Sequence, residues 1–175
     1  MVLTDDYTQA IHEAVSRHFL VRMNGVYPPP MCRSTLYRID ENTMTPWLRC
    51  EMGQVGTYED KRLRYPRGTM LIGYAWEKPG IPTVLRLGHS RDAAFFEDAL
   101  RMPRPLAQAV ASDPAIVRIE AILAVGIPHA PYVLCVESCQ GSILGHVADE
   151  GAKSPFYLMH ADALRNEVLG FGAHL

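Results

Sequence analysis

The sequence predicts an α+β fold built around a central antiparallel hairpin, and three observations predict it. From Val117 to Ile127 every odd position is apolar (Val117, Ile119, Ala121, Leu123, Val125, Ile127), the period of a strand with one buried face. Pro128-His129-Ala130-Pro131 then makes a short break, after which Tyr132 to Glu137 resumes as a strand rich in valine and aromatic character. Both ends of the chain carry apolar residues at helical spacing: Tyr7, Ile11, Ala14, Val15, His18 and Phe19 near the start, and Phe156, Met159, Ala163, Leu164 and Val168 near the end. The even positions of the first strand run from Arg118 and Glu120 to Ile122, Ala124 and Gly126. Its second face is therefore polar at one end and closely packed at the other.

A chain of 175 residues fits one domain, spanning 1–175, and can bury roughly 70% of the surface its unfolded form exposes. Hydrophobic content of 48% against 21% charged residues is that of a soluble globular protein. A net charge of −2 argues against non-specific nucleic-acid binding, which needs a basic field. No apolar run approaches the ~20 residues of a membrane span, and MVLTDDYTQA has neither the basic region nor the apolar core of a secretory signal. Four cysteines (Cys32, Cys50, Cys135, Cys139) form no CxxC and have no nearby histidine pair, so no zinc site is expected. Cys135 reads as a small core residue, and the expectation is a reduced, cytoplasmic protein with no cofactor that the residues identify.

In chain order, Thr4 can cap a first helix, with Asp5 and Asp6 at its positive end, and Asn24-Gly25 with Pro28-Pro29-Pro30 stop it. His18, on the apolar stripe, is expected as a packed, hydrogen-bonded imidazole. Arg33 to Ile39 and Thr45 to Met52 read as strands joined by the turn formers Asp40-Glu41-Asn42-Thr43. Pro46 suggests an edge strand. Gly53 to Lys61 reads as a polar loop and Arg62 to Tyr65 as a short third strand. Thr69 can cap a short helix that Pro79-Gly80 ends. Gly73 inside it costs about 1 kcal/mol against alanine, a cost usually met where another backbone comes close. Ile81 to Leu87 is a fourth strand. His89 to Pro114 is irregular and helical: Ser90 caps a first piece, Met102-Pro103-Arg104-Pro105 breaks it, and Leu106 to Ala111 forms another. Gln140 to Lys153 is a loop, and Ser154-Pro155 starts the last helix, which Gly170 stops.

This order, with three stretches inside it, resembles the GAF family of small-molecule sensor domains. Tyr37-Arg38-Ile39-Asp40 before a polar turn is similar to the family's opening strand. Gly68 to Trp76, GTMLIGYAW, is similar to the glycine-led helix beneath its pocket. Ile119 to Ser138 resembles its closing hairpin. Gly126 departs from the proline found in many relatives, and the Pro103-Arg104-Pro105 insert is unusual. The resemblance implies an antiparallel sheet of five or six strands with the terminal helices on one face and short helices and loops over the other. Ligand would lie between the sheet and the His89 to Ala115 segment.

The candidate ligand-binding residues near that space are Tyr74, Trp76, Arg86, His89, Arg91, Phe95, Phe96, Arg118 and Glu120, an aromatic and polar set of the kind that orients small molecules in apolar clefts. Arg86 either snorkels to solvent or faces a carboxylate or anionic ligand. Phe95, Phe96 and Trp76 suit a plain core role better than a ligand contact, with the Trp76 N–H needing a partner when buried. Arg118 and Glu120, two apart on one strand face, suit a local ion pair.

No catalytic residue is expected. Some GAF-like proteins reduce free methionine sulfoxide with a cysteine on the glycine-led helix and another in the following loop. Here neither stretch contains one, and the chemistry needs a thiolate with a resolving thiol in reach. No nucleophile elbow, Walker loop, dinucleotide fingerprint or HExxH is present. The expectation is a non-catalytic sensory or regulatory module that binds a small molecule and signals through its terminal helices, as a homodimer or to a separate output protein. The alternatives are a ligand-free dimerisation scaffold, its cavity filled by Phe95, Phe96, Leu100 and Met102, and the thiol reductase.

Overall fold

The sheet grows outward from two strands that lie far apart in the sequence. β1 (Cys32–Asp40) and β7 (Tyr132–Ser138) pair antiparallel from Cys32↔Ser138 to Arg38↔Tyr132. On one side β1 pairs with β2 (Thr43–Glu51), and β2 with β3 (Gln54–Thr57) and the two-residue β4 (Tyr65–Pro66). On the other side β7 forms the expected hairpin with β6 (Ala121–Gly126), and β5 (Thr83–Arg86) closes that edge. The order is β3-β2-β1-β7-β6-β5, with β4 beside β2, and every pairing is antiparallel. The computed structural model describes residues 5–26, 32–51, 54–57, 63–87, 91–138 and 166–175. The helix start expected at Ser154-Pro155 and the Gln140 to Lys153 loop lie outside them.

Side-chain alternation sorts the hairpin into two cores. Leu123, Val125, Leu134 and Val136 join the core under the terminal helices, while Ile122, Ala124, Val133 and Cys135 join the one under the short helices. The long helix α1 (Asp5–Val26) buries Phe19, Leu20 and Met23 on the first face, worth roughly 1.5–3 kcal/mol each. A final helix, α6 (166–173), adds Val168 and Phe171. Phe19 stacks on Phe171 at 4.1 Å, and Tyr132 lies 6.4 Å from Phe171 and 5.3 Å from Trp47, so one aromatic column ties both end helices to the sheet. Trp47 reaches that face because the register slips from Leu36↔Leu48 to Tyr37↔Pro46, a bulge that turns Trp47 and Leu48 to the same side.

The opposite face is covered by α2 (Met70–Glu77), α3 (Ala93–Asp98), α4 (Arg104–Ala111) and α5 (Pro114–Val117). Their core contributions include Ile72, Phe96, Leu106, Val110 and Ile116. Gly73 and Gly126 let α2 settle. A β-carbon at Gly73 would lie 2.8 Å from Gly68 N, and one at Gly126 would lie 2.4 Å from the Ala75 carbonyl oxygen. Gly126 thus allows backbone contact at a point where a side chain would hold the helix off.

Several local expectations give way to tertiary packing. The strand expected from Val117 begins at Ala121, because Pro114 opens a helical turn and Val117 N donates to the Asp113 carbonyl; Ile119 accordingly enters the short-helix core. The buried face of α1 is Ser16, Phe19, Leu20 and Met23, rotated from the expected stripe, so His18 and Ala14 are exposed. Asn24-Gly25 falls inside α1, which ends at Val26, and α6 runs through Gly170. β2 is an interior strand. Pro46 is accommodated at the bulge, between the residues paired with β4 and those paired with β3, where no ladder bond is needed from its nitrogen. Gln54–Thr57, within the expected loop, extends the sheet as β3. Asp92 caps α3, its side chain accepting from Phe95 N at 2.8 Å, and Thr69 precedes α2 without a side-chain cap bond.

Candidate functional site: a closed, charged cavity under the short helices

Between the sheet and the short helices lies a small enclosed cavity. The sheet contributes Arg33, Tyr37, Arg49, Ile122, Cys135 and Glu137 to its floor, and Leu63 and Tyr65 flank it. Met70, Ile72, Phe96, Ile116 and Ile119 form the roof, with Leu87 beside them. Its volume is about 10 Å³, room for one water molecule.

The floor is charged because the β1–β7 register sets Arg33 opposite Glu137. Arg33 Nε donates to Glu137 Oε2, and both side chains are only 6% exposed. Such a pair is worth having only where further polar contacts offset the desolvation of both ions. Arg49 Nε donates to Thr35 Oγ1 at 3.3 Å on the same face. Tyr37 and Tyr65 meet edge to face at 5.7 Å. Burial pushes the Tyr37 hydroxyl well above the usual phenol range, reinforced by Tyr65, Glu137 and Cys135 and opposed by Arg49. Burial likewise raises the Cys135 thiol well above its ordinary value, helped by Glu137 and opposed by Arg33 and Arg49.

That shift bears on chemistry. A thiol raised in pKa carries negligible thiolate at neutral pH, and thiolate is the nucleophile. Cys50 is buried in the core on the opposite face of the sheet, so it cannot act as a resolving partner for Cys135. Among the described residues there is no group of three metal-ligating side chains, and no helix is long and apolar enough to cross a membrane.

Of the residues singled out in the sequence, Phe96 lines the cavity and is fully buried, with half-buried Phe95 edge-on to it at 5.5 Å. Arg91 donates through Nη1 to the Val117 carbonyl, and Trp76, half-buried, packs at the margin of the same core under the Arg67 guanidinium. Tyr74 is 41% exposed on the outer side of α2, its hydroxyl accepting from Lys78 Nζ at 2.8 Å. Arg118 is exposed and Glu120 half-buried. Both precede β6, and no ion pair joins them, because the chain there has not yet entered the strand whose alternation would set them on one face. Arg86 lies on β5, with its side chain outside the described set, and His89 lies outside the described residues.

The floor residues Arg33, Tyr37, Arg49, Cys135 and Glu137 were not anticipated. Their signal was a charge at each end of an otherwise apolar alternation: Arg33, Thr35, Tyr37 in β1 and Val133, Cys135, Glu137 in β7. It becomes legible only once β1 is known to pair with β7.

No protein-family model matches the chain, and no curated protein does. Among solved structures it is similar to the GAF domain of a two-component sensor histidine kinase from Bacillus halodurans. The identity is 10%, the alignment covers 93% of this chain and 91% of that one, and the TM-score is 0.54. At that identity the likeness is one of architecture. The chain has the GAF fold.

Proposed function

We propose that this chain is a non-catalytic sensory or regulatory module of the GAF type that takes a small molecule between its sheet and its short helices. The observation that carries the reading is the buried Arg33–Glu137 pair, with Tyr37, Tyr65 and Arg49 beside it, in a space whose other walls are apolar. A cover needing only to fill a core would gain more from apolar residues there. A few convergent polar groups in an apolar enclosure are what orient a small ligand. Phe96 is a ligand contact in this reading, with Arg91, Phe95 and Trp76 at the margin. Tyr74 and Arg118, which face solvent, are not contacts.

Occupancy would be passed to α1 and α6, and from there to a second copy or a separate output protein, in a cytoplasmic setting. α1 carries a second apolar row suited to that step: Ile11, Ala14, His18 and Val21 recur at heptad spacing and are exposed, with Leu169 of α6 also outward. Thermal-shift screening against nucleotides, amino acids and organic acids tests the reading, since a bound molecule raises the apparent stability by mass action. A hit whose shift is abolished by Phe96→Trp, which fills the cavity further, supports it. A broad library without a hit overturns it.

A second reading, a scaffold that has lost its ligand and serves only association, is favoured by the 10 Å³ volume and by Phe96 lining the space, with Leu100 and Met102 buried in the same core. It expects a concentration-independent dimer in light scattering that no small molecule perturbs.

A further inference from the structure

The covering segment from Arg91 to Val117 is a unit in its own right. Arg91 Nη1 donates to the Val117 carbonyl and draws its two ends together. Inside it Met102 N, in the connection after α3, donates to the Phe96 carbonyl, and Asp113 N, just before α5, donates to the Val110 carbonyl of α4. Among the described residues, apart from the Ile119 N to Ile116 carbonyl bond where the chain leaves the unit, one main-chain hydrogen bond joins it to the rest of the protein: Met70 N to the Leu100 carbonyl, at 3.1 Å.

Both sides of that bond have unusual backbone. Met70 has φ 54° and Arg101 φ 55°. Neither is a glycine, and the left-handed region costs an L-residue energy that asparagine and glycine largely avoid. Among the described residues, the other two non-glycine residues in this region, Glu41 and His129, sit in tight turns between paired strands, where such backbone is routine. Met70 instead begins a helix, and its side chain lines the cavity. Left-handed backbone at non-glycine residues collects at clamps and switches, where the surroundings hold it in place.

We propose that the seam between Met70 and Leu100–Arg101 is the latch of the cavity. The covering segment opens at this edge by breaking the Met70–Leu100 hydrogen bond, and the left-handed residues on either side relax as it does. Opening at the seam costs a single main-chain bond and releases strain, whereas lifting the whole segment would expose Phe96, Leu106, Val110 and Ile116 together. The inference takes its purpose from the ligand reading above, but its test needs no ligand. A failed ligand search therefore leaves it standing, and its own failure leaves that reading intact.

The test is residue-resolved amide hydrogen exchange on the full chain. The Met70 amide should exchange about 100-fold or more faster than that of Leu134 in β7, reporting local rather than global opening. Arg101→Asn and Arg101→Gly remove the left-handed cost from the closed state and should slow the residue 70 amide about five- to tenfold. His129→Gly, at a left-handed turn away from the seam, should change it less than twofold. The proposal is overturned if the Met70 amide exchanges in step with Leu134, or if the Arg101 variants slow it no more than His129→Gly does.

Discussion

Removing the carboxylate of Glu137 should be among the most damaging single changes in this protein, and replacing its partner as well should undo most of the damage. Glu137 and Arg33 are each 6% exposed, so solvent does little to stabilise either charge alone. Glu137→Leu would leave the Arg33 guanidinium buried beside Arg49 on the same floor. Breaking a buried pair in this way costs about 3–5 kcal/mol. For a domain of this size that lowers Tm by roughly 6–20 °C, at ~2–4 °C per kcal/mol. Arg33→Met should cost a similar amount, since it takes away the carboxylate's buried ion-pair partner. The double variant Arg33→Met/Glu137→Leu puts two apolar side chains of comparable volume in register across β1 and β7 and should return to within about 1–2 kcal/mol of the parent. Urea denaturation of the four proteins at pH 7 gives the coupling energy directly. It should be at least about 3 kcal/mol, since each single loss is mostly the cost of a buried charge whose ion pair has been broken. A coupling below about 1 kcal/mol, with mild single losses, would refute the reasoning, because it would mean that water reaches the pair and the floor is not buried.

Three further outcomes follow from the same structure. Gly126→Ala should destabilise by about 3 kcal/mol in denaturant titrations, because its β-carbon would meet the Ala75 carbonyl oxygen at 2.4 Å and overpacking against backbone is not relieved by a rotamer change. Stability should be flat from neutral pH to about 8.5 and then fall with rising pH. Cys135 and Tyr37 both ionise later in the fold than in the unfolded chain, so the unfolded state loses protons first; Cys135→Ala should move the onset toward about pH 10, as followed by urea midpoints across the range. Ser16→Ala should stabilise by about 1 kcal/mol, because the Ser16 hydroxyl is buried without a hydrogen-bond partner among the described residues; a loss of stability would show that it has one.

Periodicity makes the hairpin and the existence of the first helix legible, because those signals are local. Leu123, Val125, Leu134 and Val136 face one core whatever else the chain does. What was not legible depends on partners distant in sequence. The buried face of α1 is set by where Trp47, Tyr132 and Phe171 stack, and that column rotates Ser16 inward and His18 outward. Pro46 read as an edge residue since a bulge cannot be seen before the register is known. The floor of the site is illegible for the same reason: in sequence Arg33 is the polar start of one strand and Glu137 the polar end of another, and only their pairing makes them one buried group. The aromatic residues around the short helices are conspicuous in the sequence, whereas the charged end of the sheet beneath them is not.

The arrangement of β1 bears on how a change under the short helices reaches the far side of the protein. Arg33 and Tyr37 face the cavity, and their neighbours Ser34 and Leu36 face the terminal helices. A displacement at the cavity floor is thus one peptide unit from the surface on which α1 rests. Contacts of α1 run to β1, β2 and β3. The helix-side core is tightest around the Trp47–Tyr132–Phe171–Phe19 column, which would resist such a displacement. Its weakest bonding lies at Ser16 and Ser34, two buried hydroxyls on α1 and β1 without hydrogen-bond partners among the described residues. A strand shift of a few tenths of an ångström at Ser34 breaks no hydrogen bond of either hydroxyl, whereas the same shift at Leu36 must disturb close-packed side chains. If occupancy of the cavity is transmitted at all, the physical route of least resistance runs from Arg33 through Ser34 to the middle of α1, the stretch whose opposite face carries the exposed row Ile11, Ala14, His18 and Val21.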